Sequence, residues 1–487
     1  MSQLFRDALK RVRMTPLPSK WVAIKIAAFS GIMLALLIEA ASTAARATKT
    51  GVVLALALGV SPLAVYYSIK RPLLFPFGLY VISIPFGFMQ LPQFGTLSKL
   101  TGILAALAIA FFLLQKRPVL KLAPAQIAWT VLALWMAASG VWAVDVGSWW
   151  SLNSQFLNLY LLYVLLSIAP VDELDIRGVL TIVALTGLVA GAYGIYLFQH
   201  GSAPGRVWLQ IDTGVTQDPN SFAASLLLPI ALLITTALSA ARRLHRLAGA
   251  AGVLISIGGV YVTGSRGALL AIAAIFAYFL WRSRHRVKLL LIAIAAALMS
   301  LPFAELLNQR LSNAISSGGA GRLDIWKVGF EAFTRHWLVG VGVGNFSAAY
   351  NESFISVYQR VLVGWNRGAH NLFVATGVEL GIVGIALMLA AWIYQFRALR
   401  QIGAHHKLYD LRVAFEASVL GMFVVANFID VMYFKYTWLT FGTMMLVRSL
   451  WLQHHSAEPS AVRRPASAVG RVVVTTRTAP QDLFAPD

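Results

Sequence analysis

The sequence predicts an all-α, polytopic membrane protein with about 12 to 14 transmembrane helices, and three observations lead to that class. First, 58% of the 487 residues are hydrophobic and 12% are charged, which is about half the charged share of a soluble globular protein. Second, the mean hydropathy is +0.72, more apolar than a soluble fold of this length can bury. Third, the apolar residues form runs of roughly 20, the length that a helix needs to cross a bilayer.

Candidate spans follow one another from residue 21 to residue 452, and several are short or contain proline. The candidates are 21–42, 51–69, 72–92, 99–115, 124–143, 152–168, 178–199, 221–241, 247–263, 267–282, 287–303, 371–395, 411–431 and 435–452. A proline within such a run, as in 72–92, removes a helical hydrogen bond and interrupts or kinks the helix. The sequence therefore leaves the count between about 12 and 14.

The net charge of +21 predicts an orientation rather than a nucleic-acid partner, because the basic residues lie in short clusters between the apolar runs. Most of the 40 Lys and Arg residues fall on one side when the spans alternate, and this side is the cytoplasm by the positive-inside rule. Both termini are then cytoplasmic. The predicted organisation is a basic N-terminus at 1–20, helices at 21–303 with an outer segment at 200–220, a large outer loop at 304–370, C-terminal helices at 371–452 and a disordered tail at 453–487.

The residue inventory excludes several kinds of chemistry. The chain has no cysteine, which excludes thiolate zinc sites, iron–sulfur clusters and cysteine nucleophiles. A divalent metal needs several oxygen ligands, and no segment on the predicted outer side contains an Asp-x-Asp pair or a tight acidic cluster. We therefore expect no metal and no cofactor.

Arginines at span ends on the outer side oppose the positive-inside rule and require an explanation. Arg266 lies in Thr263-Gly264-Ser265-Arg266-Gly267, a turn between two apolar runs, and Arg206 follows Gly205 in the outer segment. One interpretation is a hairpin turn with a snorkelling side chain. The other is a rigidly held guanidinium that grips phosphate oxygens at the membrane surface.

The segment Asp218-Pro219-Asn220 begins the run at 221–241. Asp218 suits an N-cap, and proline suits the first turn. The segment either caps the helix and nothing more, or it also directs backbone N–H groups at an anion on the outer face.

Gly321-Arg322 begins an amphipathic stretch in the large loop, where Leu323, Trp326 and Phe330 recur at helical spacing. Such a helix is suited to lie on the membrane or to roof a cavity. Arg322 is then either a surface arginine or an anion ligand in the first turn of this lid.

His370 ends the large loop directly before Asn371 and the next apolar run. A single histidine is more often structural than catalytic. At the junction of lid and membrane, however, a neutral imidazole can accept a proton from a hydroxyl.

Taken together, these segments resemble the O-antigen ligase and polymerase superfamily of bacterial inner-membrane glycosyltransferases. The strongest element is His370-Asn371 followed after nine residues by Gly381-Ile382-Val383-Gly384, which fits the histidine motif of that superfamily's large periplasmic loop and following helix. Asp218-Pro219-Asn220, Ser265-Arg266-Gly267 and Gly321-Arg322 with Trp326 are similar to family landmarks in the same order.

The resemblance implies a GT-C-like fold with a periplasmic lid and an inverting transfer that needs no metal. The donor would be an O-antigen on undecaprenyl diphosphate, and the acceptor would be a lipid A–core sugar. Membrane lipids would surround the protein. The catalytic residues would be His370, Arg266 and Arg322; the diphosphate ligands would be Arg206, Arg266, Arg322 and Asn220; Asp218, Asn371, Gly381, Gly384 and Trp326 would support the motifs. The alternatives are an O-antigen polymerase of the same superfamily and a flippase or transporter of lipid-linked glycans.

Overall fold

The computed structural model describes residues 64–87, 89–91, 95–118, 122–200, 209–210, 216–305, 308–309, 312, 321–358 and 367–457. The chain is helical over most of these residues. The helices, in chain order, are α1 Phe77–Ser83, α2 Leu97–Lys116, α3 Pro124–Ala138, α4 Val146–Ile168, α5 Glu173–His200, α6 Pro219–Ser225, α7 Leu227–Ser239, α8 Arg243–Tyr261, α9 Arg266–Arg282, α10 Arg286–Met299, α11 Arg322–Arg335, α12 Phe346–Tyr358, α13 Leu372–Phe396, α14 Tyr409–Val425 and α15 Lys435–Ala457.

Short 3₁₀ turns and two minimal hairpins connect some of the helices. The 3₁₀ turns are Ser139–Val141, Leu301–Phe303 and Val431–Tyr433. The antiparallel hairpins pair β1 Gln90–Leu91 with β2 Gly95–Thr96, and β3 Leu209–Gln210 with β4 Thr216–Gln217. The predicted all-α class is confirmed.

Seven helical segments among the described residues are long and apolar enough to cross a membrane: Leu97–Lys116, Pro124–Val141, Val146–Ile168, Glu173–His200, Pro219–Ser239, Arg243–Tyr261 and Leu372–Phe396. The chain is thus a polytopic membrane protein. The predicted span at 21–42 and most of that at 51–69 lie outside the described residues, so the count of 12 to 14 stays a prediction.

The predicted continuous span over 72–92 is wrong. The structure instead has the seven-residue helix α1, followed by the hairpin that begins at Gln90. Prolines at 72, 76 and 85 explain the difference, because each lacks the amide hydrogen that a continuous helix needs.

The rod formed by α6 and α7 is the centre of the bundle. It runs over Pro219–Ser239, is almost entirely buried, and packs against α5, α8, α9 and α14. A helix that is apolar on every side is suited either to lipid or to the interior of a bundle, and the packing of this one places it in the interior. The surrounding helices therefore fix the position of its first residues at one end of the bundle.

Small residues let two of these surrounding helices approach closely. A Cβ at Gly259 of α8 would lie 2.6 Å from the Cα of Gly191 in α5, and Gly191 itself meets the backbone of Ser256. Close backbone approach through glycine is the usual way in which membrane helices gain packing contacts.

A lid of two helices, α11 and α12, has a small hydrophobic core of its own. Ile325, Val328, Phe346 and Tyr350 form this core together with Val378 of α13. The lid helices therefore pack on the first half of α13 as one unit, as the amphipathic pattern of the large loop predicts.

Helix α13 is interrupted at Gly381, whose φ of 65° and ψ of −166° are not helical. The backbone of the segment 337–344 lies against this break: Ile382 donates to the carbonyl of Trp337 at 2.8 Å, and Gly342 donates to that of Glu379 at 2.8 Å. A Cβ at Gly381 would overlap the carbonyl of Leu338. Glycine is required here both by the positive φ and by this contact.

Candidate functional site

A cavity of about 960 Å³ lies beneath the lid, at the end of the bundle where α6 begins. Its walls come from elements that are far apart in the sequence. Asp218 and Asn220 line it from the start of α6, Arg322 from the lid, and His370 from the loop before α13. The structure thus brings together four of the residues that the sequence analysis selects.

The lid is attached directly to the segment that carries the histidine. Trp326 of α11 donates its indole N–H to the carbonyl of Ala369 at 3.0 Å. Because Ala369 precedes His370 in the chain, this hydrogen bond fixes the histidine loop to the helix that carries Arg322. Trp326 accordingly acts in the structure as a support between two parts of the cavity wall.

Asn371 caps helix α13. Its side-chain oxygen accepts from the amides of Phe373 at 2.9 Å and Val374 at 3.1 Å, and its Nδ2 donates to the carbonyl of Asn427 at 3.2 Å. A cap of this kind satisfies amides that have no partner within the helix. His370 immediately before it has a φ of 48°, a left-handed conformation that is uncommon outside glycine and asparagine. The capped helix and this turn set the direction of the imidazole.

His370 is exposed and lines the cavity. Desolvation within the walls lowers its pKa from the ordinary value of 6.5, and repulsion from Arg322 and Arg367 acts in the same direction, while Asp218 opposes them. A lower pKa leaves more of the imidazole neutral at pH 7, which is the form that accepts a proton.

Arg322 is half-buried at the start of the lid helix. Desolvation lowers its pKa, repulsion from Arg266 lowers it further, and attraction to Asp218 opposes both. Arg322 therefore lies within electrostatic range of Arg266 and Asp218. Among the described residues Arg266 does not itself line the cavity; it begins α9 beside the cavity, after a turn in which Gly264 has a φ of 61°.

Asp218 caps α6 as the sequence predicts, and its side-chain oxygen accepts from the amides of Asn220 at 2.9 Å and Ser221 at 3.0 Å. Of the two interpretations of this segment, these hydrogen bonds support capping alone, because the aspartate already accepts from both amides. Asn220 still lines the cavity.

The remaining selected residues have other positions. Arg206 lies outside the described residues. Gly381 and Gly384 do not line the cavity in the part of the chain that the structure describes. Gly381 forms the break in α13, and Gly384 follows it in the helix, where a Cβ would overlap the side chain of Leu380.

Carboxyl groups also meet in the cavity, although the sequence shows no acidic cluster. Glu379 and Asp430 line it together with Asp218, and an oxygen of Glu379 accepts from the amide of Phe346 at 3.2 Å. Over the described ranges, no group of three acidic or histidine side chains is arranged to hold a metal ion.

Sequence reasoning missed Tyr436 and Gln155, which also line the cavity. The hydroxyl of Tyr436 is buried and has no hydrogen-bond partner among the described residues, an uncommon state for a buried polar group. Gln155 donates to the carbonyl of Tyr433 at 2.9 Å. Both residues lie inside apolar runs, so their proximity to His370 follows from helix packing and not from a local motif.

A comparison with known families matches residues 251–389 to the family described as O-antigen ligase. The match covers Arg266, Arg322, His370 and the glycine motif, and it begins after Asp218 and Asn220. A search of curated proteins found no match. Residues 251–389 are thus similar to the O-antigen ligase family, and this match supports the O-antigen ligase and polymerase superfamily.

Proposed function

We propose that this protein is an O-antigen ligase, a glycosyltransferase of the Gram-negative inner membrane. It transfers O-antigen polysaccharide from undecaprenyl diphosphate to a lipid A–core sugar. The reaction takes place at the periplasmic face, and both termini lie in the cytoplasm. The family match and the charge distribution along the chain support this assignment.

One observation carries the proposal: a histidine with a lowered pKa and the half-buried Arg322 share the cavity under the lid. The two side chains suit the attacking group and the leaving group of a glycosyl transfer. A neutral imidazole removes a proton from the attacking hydroxyl, and a guanidinium stabilises the negative charge of a leaving diphosphate.

In the proposed reaction, a hydroxyl oxygen of the acceptor sugar attacks the anomeric carbon of the donor glycan. The bond from that carbon to the diphosphate oxygen breaks as the new glycosidic bond forms. The hydroxyl proton passes to His370, and undecaprenyl diphosphate leaves with the bonding electron pair. A single in-line displacement inverts the anomeric configuration.

The arginines are proposed as diphosphate ligands. Arg322 lines the cavity, and Arg266 supports it from the start of α9 within electrostatic range. Arg206 and the side chain of Asn220 are proposed to complete the ligand set. Because guanidinium groups take over charge neutralisation, the proposed transfer does not depend on a divalent metal.

A deletion strain tests the function directly. The lipopolysaccharide of the strain should lose its long-chain ladder on a gel, while full-length glycan accumulates on undecaprenyl diphosphate. Expression of the wild type should restore the ladder, and expression of His370→Ala at an equal protein level should not.

Two other outcomes would each contradict the proposal. Loss of long glycan from the carrier lipid as well would identify a polymerase. Full complementation by His370→Ala would favour a transporter, because moving a lipid-linked glycan requires contacts with the diphosphate but no proton acceptor.

A further inference from the structure

A second cavity, of about 470 Å³, lies at the opposite end of the bundle. Helix α9 connects the two regions: Arg266 begins it near the lid, and Arg282 ends it at the second cavity. Its 17 residues span about 25 Å, so the second cavity is separate from the candidate active site. By the charge distribution it lies at the cytoplasmic surface.

The second cavity is strongly basic. Arg246, Arg282, Arg284, His285 and Lys288 line it, together with one carboxylate, Asp410. Clusters of cations are common at cytoplasmic helix ends. This cluster borders a half-open cavity that is large enough for a phosphate group.

Little of this positive charge is neutralised within the protein. Arg246 donates to the carbonyls of Ala240 at 2.6 Å and Ala241 at 3.1 Å. Arg282, Arg284 and Lys288 form no ion pair with a carboxylate among the described residues. The Nε of Arg282 is buried and, within the same part of the chain, has no hydrogen-bond partner.

Three helix starts around the cavity add to its positive potential. Helices α8, α10 and α14 begin there after Arg242, His285 and Leu408, and none of these three residues makes a side-chain cap. The starts of α6 and α13 at the other end of the bundle are capped by Asp218 and Asn371. Uncapped helix starts present backbone N–H groups and a partial positive charge to an anion.

The helix faces beside the cavity are apolar and exposed. On α8 and α10, Leu244 and Val287 are each 73% exposed, and Trp281 at the end of α9 is 69% exposed. Exposed aliphatic side chains on a membrane helix contact acyl chains, and tryptophan favours the level of the headgroups. The surroundings therefore favour an anion that carries acyl chains over a free ion.

We propose that this basic cavity binds the headgroup phosphate of an anionic phospholipid from the cytoplasmic leaflet. Its acyl chains lie along the exposed faces of α8 and α10. Basic pockets between membrane helices on the cytoplasmic side are suited to such headgroups. This binding site is independent of the glycosyl transfer at the other end of the molecule.

The test uses the purified full-length chain in a neutral detergent and measures its thermal unfolding. Phosphatidylglycerol should raise the midpoint more than phosphatidylcholine does, since a ligand that binds the folded state stabilises it. In the double variant Arg284→Gln/Lys288→Gln, the extra shift should fall by about half or more, because two of the headgroup contacts are lost. The matched control is Arg397→Gln/Arg400→Gln, which changes two exposed basic residues outside the cavity. In this control the extra shift with phosphatidylglycerol should remain.

An equal shift in wild type and in Arg284→Gln/Lys288→Gln would overturn the proposal, because general surface charge would then explain it. A shift of the same size with inorganic phosphate alone would overturn the lipid assignment. Native mass spectrometry provides a second measurement that does not depend on the unfolding transition. The wild type should retain one more tightly bound phosphatidylglycerol than Lys288→Gln, and equal retention would contradict the site.

Discussion

The two ends of helix α9 both concentrate arginine, yet their surroundings differ in kind. At the outer end, Arg266 lies near Arg322 and Asp218, and the same cavity contains His370. At the inner end, Arg282 lies among other basic residues and uncapped helix starts. Positive charge alone therefore indicates where an anion can bind. A bond-breaking reaction additionally needs a group that can accept a proton, and in the outer cavity the lowered pKa of His370 suits that role in the proposed transfer.

The largest expected effect is at that imidazole. His370→Ala should reduce the rate of glycan transfer by about 10²–10⁴-fold, the usual contribution of a general base. The measurement is the steady-state transfer rate of purified protein with donor and acceptor.

A second histidine provides the control for this prediction. His336 lies at the end of the lid helix and, among the described residues, does not line the cavity, so His336→Ala should transfer at nearly the wild-type rate. Equal losses in the two variants would mean that His370 supports the lid rather than the reaction.

The next largest effect concerns the cations at the outer end. Arg322→Ala should lower the transfer rate by about 10²–10³-fold, the range for removing one transition-state contact. Arg322→Lys should also be impaired, because an amine keeps the charge but not the planar fork. Arg266→Ala should lose less than Arg322→Ala, since Arg266 acts from outside the cavity. Lys327→Ala, which removes an exposed cation from the same lid helix, is the matched control and should be nearly silent.

The pH dependence of the transfer rate should depend on the charged groups near His370. Transfer should fall on the acid side with a midpoint below 6.5, because the pKa of His370 is lowered and only the neutral form accepts a proton. Arg322→Gln should move this midpoint up, because it removes a repelling charge. Asp218→Asn should move it down, because it removes an attracting charge while retaining a residue that caps helices. If the midpoint stays the same in both variants, the loss of transfer at low pH is due to a group other than His370.

The smallest expected effect is at a residue that no motif indicates. The hydroxyl of Tyr436 is buried beside the cavity and has no partner among the described residues, so Tyr436→Phe should leave substrate affinity within about 2-fold of the wild type. The midpoint of its thermal unfolding should rise slightly, because the substitution removes a buried hydroxyl that has no hydrogen-bond partner among the described residues. Tyr394→Phe alters an exposed tyrosine outside the cavity and should leave both affinity and unfolding unchanged.

Local signals in the sequence predicted much of this arrangement. The caps at Asp218 and Asn371 are predictable because an N-cap depends on a residue's own type and its immediate neighbours. The lid helix is predictable because Trp326 and its neighbours repeat at helical spacing. The link between Arg322 and His370 through Trp326 was not predictable, because it joins residues 43 positions apart by a contact with a backbone carbonyl.

Two features of the fold could not be predicted from hydropathy, because one depends on proline geometry and the other on long-range packing. The run 72–92 is apolar enough for a span, but its prolines divide it into α1 and a hairpin. The glycines at 340, 342 and 344 resemble no nucleotide loop. Gly340 and Gly342 lie against the interrupted backbone of α13, where a Cβ at Gly340 would overlap the carbonyl of Glu379. A contact between two distant backbone segments leaves no pattern that hydropathy or spacing can reveal.

In the proposed transfer, His370 removes a proton and does not hold the donor. The most direct test measures, for His370→Ala, both the affinity for the undecaprenyl-diphosphate donor and the single-turnover rate of donor that is already bound. We predict an affinity close to that of the wild type and a turnover rate reduced by about 10²-fold or more. Weak donor binding combined with normal turnover of the bound donor would contradict this account and make His370 a ligand of the diphosphate.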